Sequence, residues 1–278
     1  MLDSLQISQF KILKSKFIIV ALQNMLTDTH THLYSDAFSG DKAEVMQRAI
    51  DAGVQRMFIP AIDSETTQAM YDLEKEFPNN VFLMMGLHPT SVKENYKKEL
   101  IHIKEQFEKR SFIAVGEIGI DLYWDKSTIG IQKDAFRTQI KLAKKYQLPI
   151  VIHCRDAFDA VFEVLESEKG KDLFGIFHCF TGTEEQAKQA ISYNMKLGIG
   201  GVVTFKNGKI DTFLNKFNLK HIVLETDSPY LSPVPYRGKR NESSYLQLVC
   251  KKVAEVYHVS EKEVAKITTE NSIEVFGI

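Results

Sequence analysis

Short apolar runs alternate with longer amphipathic stretches along most of this chain, and this alternation restricts the fold more than any other feature. Eight runs rich in Val, Ile, Leu and Phe lie at residues 25–32, 55–61, 80–87, 112–119, 149–154, 174–180, 195–201 and 221–226. Strands covered by helices on both faces have this composition. The pattern therefore predicts repeated βαβ units around a parallel sheet.

Stretches with helical periodicity separate these runs and continue after the last one. Seven lie between strands, at residues 41–52, 64–77, 97–110, 129–147, 156–168, 183–193 and 208–219, and two more follow at 242–257 and 261–275. Eight strands joined by seven helical connections predict a closed α/β structure, the (β/α)8 TIM barrel, whose outer ring the last two helices complete. An open doubly wound sheet is the alternative architecture.

The length of the chain agrees with a single barrel. It has 278 residues, and this fold typically needs about 250. No linker rich in Gly, Ser or Pro interrupts residues 25–278, so we expect one domain there. Residues 1–24 precede the first predicted strand and are expected to be an N-terminal extension or an alternative-start segment. No apolar run is long enough to span a membrane, so no membrane partner is expected.

Charge and cysteine content narrow the class of protein. The formal net charge is −1, so the protein lacks the overall positive field of proteins that coat nucleic acid. A polyanion must therefore be held by local groups. Three cysteines, Cys154, Cys179 and Cys250, have no CxxC spacing, which argues against a disulfide framework and a thiolate zinc site. This cysteine content favours a cytoplasmic location.

Two imidazoles, His30 and His32, lie two residues apart at the end of the first predicted strand. The period of two along a strand turns both to the same side, where they can share a metal ion. Four other candidate ligands lie at the ends of later strands: Glu117, His153, His178 and Asp227. Parallel strands end on one face of a barrel, and that face holds the active site of such enzymes. We therefore predict a metal site at the C-terminal ends of the strands.

The number of candidate ligands exceeds what a single zinc ion needs. We predict two divalent metal ions, which can be Mg, Mn or Zn because imidazole and carboxylate ligands suit all three. Glu117 is expected to bridge them, and Asp227 to orient the attacking water. Two such ions can activate water and stabilise the leaving oxygen, so the predicted reaction is hydrolysis. His88, after the third strand, is expected to bind the scissile phosphate or protonate the leaving oxygen.

Basic and aromatic side chains near the same strand ends indicate the substrate. The predicted substrate-binding residues are Arg155, Lys206, Arg237, Arg240, Tyr123 and Trp124. Guanidinium groups match phosphate oxygens, and aromatic rings can stack on nucleobases. A phosphodiester therefore fits this rim better than a neutral amide. Solvated surface charge and packing of the loops over the rim are alternative roles for the same residues.

Seven motifs in order make the chain resemble the TatD family of metal-dependent deoxyribonucleases, within the amidohydrolase-like barrels. They are DTHTH (28–32), GLHP (86–89), GEIGID (116–121), IHCRDA (152–157), HCFTG (178–182), ETDSPYL (225–231) and TTEN (268–271). The resemblance runs from about Met25 to Ile278. It implies a nuclease that removes nucleotides from single-stranded or frayed DNA ends in the 3′-to-5′ direction, with the six ligands named above. It also marks His88, Asp121 and Arg155 as active-site neighbours.

Two other functions fit the same residues. One is a hydrolase of a small ester or C–N substrate, because barrels of this type support many chemistries on one metal site. The other is a catalytically idle scaffold that binds nucleic acid without turnover. Charge reversal at the basic rim separates the first from a nuclease, because it would weaken only the binding of a charged substrate.

Overall fold

A computed structural model describes residues 25–278, so the expected extension at residues 1–24 lies outside the described residues. The strands are β1 (Leu26–Asp28), β2 (Val54–Ile59), β3 (Val81–Leu83), β4 (Val115–Asp121), β5 (Ile150–Arg155), β6 (Gly175–Phe177), β7 (Met195–Ile199) and β8 (Ile222–Leu224). The α-helices of the described part are α1 (Lys42–Asp51), α2 (Thr67–Glu76), α3 (Tyr96–Lys109), α4 (Ile129–Tyr146), α5 (Phe158–Ser167), α6 (Glu184–Ser192), α7 (Leu246–Tyr257) and α8 (Glu261–Phe276). Among these, no helix has both the length and the apolar character needed to cross a membrane.

The longest helix, α4, shows how local sequence sets these elements. Its buried side chains include Phe136, Ile140 and Ala143, which recur every three or four residues and so form one face. The helix ends where Gln147 takes a left-handed conformation, with φ of 57°. Pro149 follows and prevents continuation of the helix, so the chain enters β5 at once.

All strand pairs are parallel, and they form a closed barrel. Hydrogen-bonded neighbours run in the order β1-β2-β3 and β4-β5-β6-β7-β8. Single bridges join the two groups, from Met85 to Val115 and from Thr31 to Ser228. The predicted (β/α)8 barrel is therefore confirmed, and the open doubly wound sheet is wrong.

Asp28 reinforces the seam between β1 and β8. Its carboxylate accepts hydrogen bonds from the Thr226 backbone N–H at 2.9 Å and from the Thr226 hydroxyl at 2.6 Å. The side chain is fully buried, and burial raises its pKa to about 7 against the effect of these bonds. The contact fixes the ends of β1 and β8 side by side, which places His30 next to Asp227.

One predicted element is wrong. Residues 208–219 form three short 3₁₀ turns, at Ile210–Thr212, Leu214–Lys216 and Leu219–His221, instead of an α-helix. Lys209 has φ of 57° and Phe217 is extended, so the chain leaves helical geometry on both sides of the central turns. Apolar residues spaced by three or four suit a 3₁₀ turn almost as well as an α-helix, because the two periods differ little over one turn.

The strands carry an apolar layer directly beneath the polar strand ends. Val151, Ile176 and Val223 are buried in one cluster with the helix α8 residue Phe276. Side chains two residues apart on a strand face the same way. His153 and His178 follow two residues after Val151 and Ile176, so they project from the same face as the apolar layer. That layer therefore forms a packed floor for the polar site.

Candidate metal centre

Glu117 lies at the centre of a cluster of imidazoles and carboxylates at the strand ends. Its Oε2 atom is 3.0 Å from His30 Nε2 and 3.8 Å from His32 Nε2. Asp227 Oδ1 lies 3.6 Å from His32 Nε2 and 3.9 Å from His30 Nε2. We call His30, His32 and Asp227 the β1/β8 half of the site. One oxygen of Glu117 faces this half.

The other oxygen of Glu117 faces three imidazoles, one after β3, one within β5 and one after β6. Oε1 is 2.8 Å from His153 Nδ1, 3.4 Å from His88 Nε2 and 3.4 Å from His178 Nε2. We call His88, His153 and His178 the β3–β6 half of the site. A single carboxylate therefore contacts residues from both halves.

The residues present fit divalent metal ions. Three sets of potential ligand atoms lie within 4.8 Å of one another: His30 with His32 and Asp227, His30 with Glu117 and His178, and His88 with Glu117 and His153. His30 Nδ1 is buried without a hydrogen-bond partner among the described residues, and His30 Nε2 lies 3.0 Å from Glu117 Oε2 without a well-aligned hydrogen bond. Buried polar atoms are normally satisfied, so this poorly satisfied imidazole points to a ligand. The structure thus brings all six predicted ligands together and places the predicted catalytic residue His88 in the same cluster.

Burial keeps the imidazoles of the β1/β8 half neutral. It lowers the pKa of His30 well below its usual range and lowers that of His32 to about 4. Neutral imidazoles have a lone pair available for a metal. Burial raises the pKa of Asp227 to about 7, although the neighbouring His178 favours its charged form.

The β3–β6 half retains protons instead. Burial lowers the pKa of His178, but Glu225, Glu117 and Asp227 outweigh it and raise that pKa to about 10. Burial also lowers the pKa of His153, but hydrogen bonds to Asp121 and Glu117 outweigh this effect, so the pKa is raised overall. A metal must displace such protons, because only the neutral ring is a ligand.

Two buried side chains orient ligand imidazoles from behind. Glu225 Oε1 lies 3.0 Å from His178 Nδ1, and Tyr34 Oη lies 3.0 Å from His32 Nδ1. Partners of this kind fix the direction of a ligand ring. Gly198 leaves room for Glu225, because a Cβ atom there would lie 2.4 Å from Glu225 Oε2.

Sequence reasoning did not single out Glu225 or Tyr34. Glu225 had a usable signal, because it is an acid at the end of an apolar strand and two residues before Asp227. Tyr34 had little signal, since aromatic residues close to a strand usually serve the core. The sequence therefore pointed to the residues that cluster at the strand ends more readily than to the side chains behind them.

His88 differs from the other imidazoles in the nitrogen that it presents to the site. Its Nδ1 accepts the backbone N–H of Thr90 at 3.1 Å, so the neutral ring must carry its proton on Nε2. Burial lowers the pKa of His88, which favours that neutral ring. The Nε2–H group, 3.4 Å from Glu117 Oε1, is therefore a donor in the site. A donor suits a phosphate oxygen better than a metal ion.

The predicted substrate-binding residues in the loop after β4 and at the end of β5 form one surface cluster. Trp124 and Tyr123 are exposed by 72% and 52%, and their rings lie 4.9 Å apart at a right angle. The Arg155 guanidinium lies 3.6 Å from the centre of the Tyr123 ring. Tyr123 also connects the cluster to the site, because its backbone N–H donates to Asp121, which contacts His153.

The remaining predicted basic residues differ in their partners. Arg237 lies 3.6 Å from the centre of the Phe205 ring, and Lys206 is exposed next to it in sequence. Arg240 instead forms an ion pair with Asp41 at 2.6 Å. Its guanidinium is thus engaged within the protein, whereas Arg155 and Arg237 have no carboxylate within 4.0 Å among residues 25–278.

A parallel (β/α)8 barrel with buried imidazoles and carboxylates converging on its strand ends defines a metal-dependent hydrolase of the amidohydrolase-like class. The comparisons with known proteins are more specific. The family model described as TatD related DNase matches residues 27–277, and the chain belongs to this family.

Individual relatives agree over nearly the whole chain. The metal-dependent hydrolase YabD of Bacillus subtilis is 39% identical over 255 residues, covering 91% of this chain and all of YabD. The metal-dependent hydrolase YcfH of Escherichia coli is 30% identical over 257 residues, covering 91% of this chain and 96% of YcfH. The crystal structure of YjjV, a TatD homologue from Escherichia coli, superposes with a TM-score of 0.86 at 28% identity, covering 92% of this chain and 99% of YjjV.

Proposed function

We propose that the protein is a divalent-metal-dependent deoxyribonuclease that removes nucleotides in the 3′-to-5′ direction from single-stranded or frayed DNA ends. Membership of the family supports hydrolysis of a phosphodiester. The observation that carries the proposal is that Glu117 directs one oxygen to each half of a ligand cluster. This arrangement accommodates two divalent ions, with Mg, Mn and Zn all compatible. When bound, such ions activate a water and stabilise the leaving oxygen.

The chain's own residues then have distinct roles. Glu117 holds the two halves together, and Asp227 provides a carboxylate beside His32 that can orient the attacking water. His88 donates its Nε2–H to an oxygen of the scissile phosphate or of the leaving group. Six ligands, from His30, His32, Glu117, His153, His178 and Asp227, are the proposed metal-binding set.

Local positive charge suits a DNA strand. The whole chain has a net charge of −1, so affinity must come from individual groups at the rim. Arg155, Lys206 and Arg237 are proposed to bind phosphates, with Tyr123 and Trp124 available for stacking on bases. Arg240 is proposed to act mainly through the loop that its ion pair with Asp41 holds.

We also propose that residues 25–278 function as one domain and that the protein works in the cytoplasm. All three cysteines are free thiols, which suits a reducing compartment. Burial raises the pKa of Cys154 and Cys250, which keeps both thiols protonated and unreactive.

The decisive test is digestion of single-stranded DNA labelled at either end by metal-stripped protein to which Mg, Mn or Zn is restored separately. The proposal expects no cleavage without metal and a ladder of products that shortens from the 3′ end. The Glu117→Ala variant should retain the fold, because a rim carboxylate does not support the core, and should lose hydrolysis.

Three outcomes would contradict the proposal. Shortening from the 5′ end would reverse the polarity. Binding of DNA without cleavage under every metal would indicate an idle scaffold. Cleavage of a small neutral ester that persists after Arg155→Glu, with no cleavage of DNA, would indicate a small-substrate hydrolase.

A further inference from the structure

Exposed hydrophobic side chains are concentrated around the candidate metal centre. Within the described residues, six large hydrophobic side chains are exposed, and five of them lie in the loops after β4 and β8: Tyr123, Trp124, Tyr230, Leu231 and Val234. The sixth, Ile101, lies on helix α3. Concentrated exposed apolar surface indicates a contact surface, and here it surrounds the strand ends.

Two clusters at this rim each contain an arginine close to an aromatic ring. In the first, the Arg155 guanidinium carbon lies 3.6 Å from the centre of the Tyr123 ring and 5.6 Å from the centre of the Trp124 ring. In the second, Arg237 lies on Phe205 at 3.6 Å. A guanidinium over a ring keeps its N–H edge available for phosphate, and the rings offer surfaces for a base. Each cluster thus combines the two groups that recognise one nucleotide.

The two clusters lie on different sides of the metal centre. The first comes from the loop after β4 and from the end of β5, and the second comes from loops after β7 and β8. In a closed barrel of eight strands, β6 lies between these two pairs of strands along the shorter path around the rim. The strands from β5 to β8 carry the candidate ligands His153, His178 and Asp227 at or just after their ends. An extended strand that contacts both clusters along this path therefore passes beside these ligands.

We propose that the two clusters bind the nucleotides on either side of the scissile phosphodiester. The substrate is then a single strand, and each cluster holds one base of it. This inference rests on the proposed nuclease function and specifies its substrate. A lone nucleotide ester occupies only one cluster. A paired duplex cannot offer unstacked bases to both, so the strand must be single or frayed at the point of cleavage.

The test uses single-stranded oligonucleotides in which one abasic residue replaces the nucleotide on one or the other side of the cleaved bond. Each is cleaved by wild-type protein and by Trp124→Ala, Phe205→Leu and Ile101→Ala. Ile101→Ala is the control, because it removes an exposed apolar side chain that lies away from the rim, on helix α3. Phe205→Leu keeps apolar volume in a half-buried position, so loss of folding does not explain its effect.

We expect each rim variant to lower kcat/KM on the intact oligonucleotide by about tenfold, the usual effect of one stacked base. An abasic residue on one side should abolish the effect of Trp124→Ala and leave that of Phe205→Leu. An abasic residue on the other side should do the reverse. Effects that do not depend on the abasic position, or two variants that respond to the same position, would overturn the proposal.

A binding measurement separates this inference from the proposed activity. Trp124 is the only tryptophan in the chain, so its fluorescence reports on the first cluster alone. Single-stranded DNA should quench this emission in metal-free protein, and the corresponding abasic strand should quench it less. Quenching that depends on the base, in a protein that does not cleave DNA, would support base binding at the first cluster and reject the proposed nuclease activity. Cleavage without such quenching would support the nuclease and reject the first cluster as a base site.

Discussion

The two halves of the candidate metal centre share Glu117 but differ in how their imidazoles are satisfied. In the β1/β8 half, His30 Nδ1 has no hydrogen-bond partner in the described chain, and burial holds the pKa of both His30 and His32 low. In the β3–β6 half, His153 lies between two carboxylates, at 2.8 Å from Glu117 and 2.9 Å from Asp121. The imidazoles of the β1/β8 half are neutral and have a nitrogen lone pair available for a cation. In the β3–β6 half, His178 and His153 are protonated instead.

This difference predicts that the two halves of the site do not bind metal equally well. A cation that enters the β1/β8 half meets neutral imidazoles, so it displaces few protons there. A cation that enters the β3–β6 half must replace protons on His178 and His153, which are held by carboxylates. We therefore expect the β1/β8 half to bind more readily at neutral pH and the β3–β6 half to gain affinity as the pH rises.

The largest effect should come from Glu117→Gln, because this residue contacts both halves. The neutral amide keeps the shape of the side chain but loses the charge that balances the surrounding imidazoles. We expect kcat to fall on the order of 10³-fold or more, as for residues that act within a catalytic unit. Metal content by mass spectrometry should fall at the same time. Glu105→Gln, on the exposed face of α3, is the matched control, and a normal metal content in Glu117→Gln would contradict the sharing of Glu117.

The sequence did not predict most of this difference in protonation, although it did predict which residues lie together at the strand ends. The period of two placed His30 and His32 on one face of β1, and the barrel pattern placed Glu117, His153 and His178 at neighbouring strand ends. Their protonation depends on which carboxylate lies behind each ring. Glu225 lies 47 residues after His178 in sequence, as the two residue numbers show, and only packing brings them to 3.0 Å.

The fold was predictable to a similar degree. Apolar composition gave the eight strands, because each strand is covered on both sides. The segment at 208–219 was not predictable as turns, since its buried residues Ile210, Leu214 and Leu219 keep spacings close to those of a helix. The ion pair of Arg240 with Asp41 joins residues from opposite ends of the chain, so no local pattern reveals it.

The supports behind the ligand rings should distinguish the two halves. Glu225→Gln removes the charge behind His178. It should lower metal affinity of the β3–β6 half about 10- to 100-fold, the usual effect of such partners, although it also makes the proton on His178 easier to displace. Tyr34→Phe removes only a hydroxyl behind His32 and should weaken the β1/β8 half less. Metal titrations of both variants, with thermal unfolding as a check of folding, provide the comparison. Equal loss of both ions in Glu225→Gln would argue against separate halves.

The pH dependence of metal binding should separate the halves between about pH 7 and pH 9. His178 has a pKa of about 10 without metal, so it holds a proton throughout this range, and each proton displaced makes affinity rise about tenfold per pH unit. His32, with a pKa of about 4, and Asp227, with a pKa of about 7, have released most of their protons above pH 7. Calorimetry in buffers with different ionisation enthalpies measures proton release for each ion. Binding of both ions without proton release at pH 8 would refute this asymmetry.

The smallest effect should come from the arginine on the β8 side. Arg240 is committed to Asp41, whereas Arg155 on the β5 side lies on Tyr123 without a carboxylate partner in the described structure. Arg240→Ala should therefore cost less than about 1 kcal/mol of unfolding free energy, because partly exposed ion pairs contribute little. Its KM for single-stranded DNA should change by less than about threefold, whereas Arg155→Ala should raise KM about tenfold through the loss of a charge-assisted hydrogen bond to phosphate. The Asp41→Asn variant tests whether the Arg240 guanidinium can bind DNA once its ion pair is lost, in which case KM falls. A larger effect on KM for Arg240→Ala than for Arg155→Ala would instead show that the β8 side supplies the main phosphate contact.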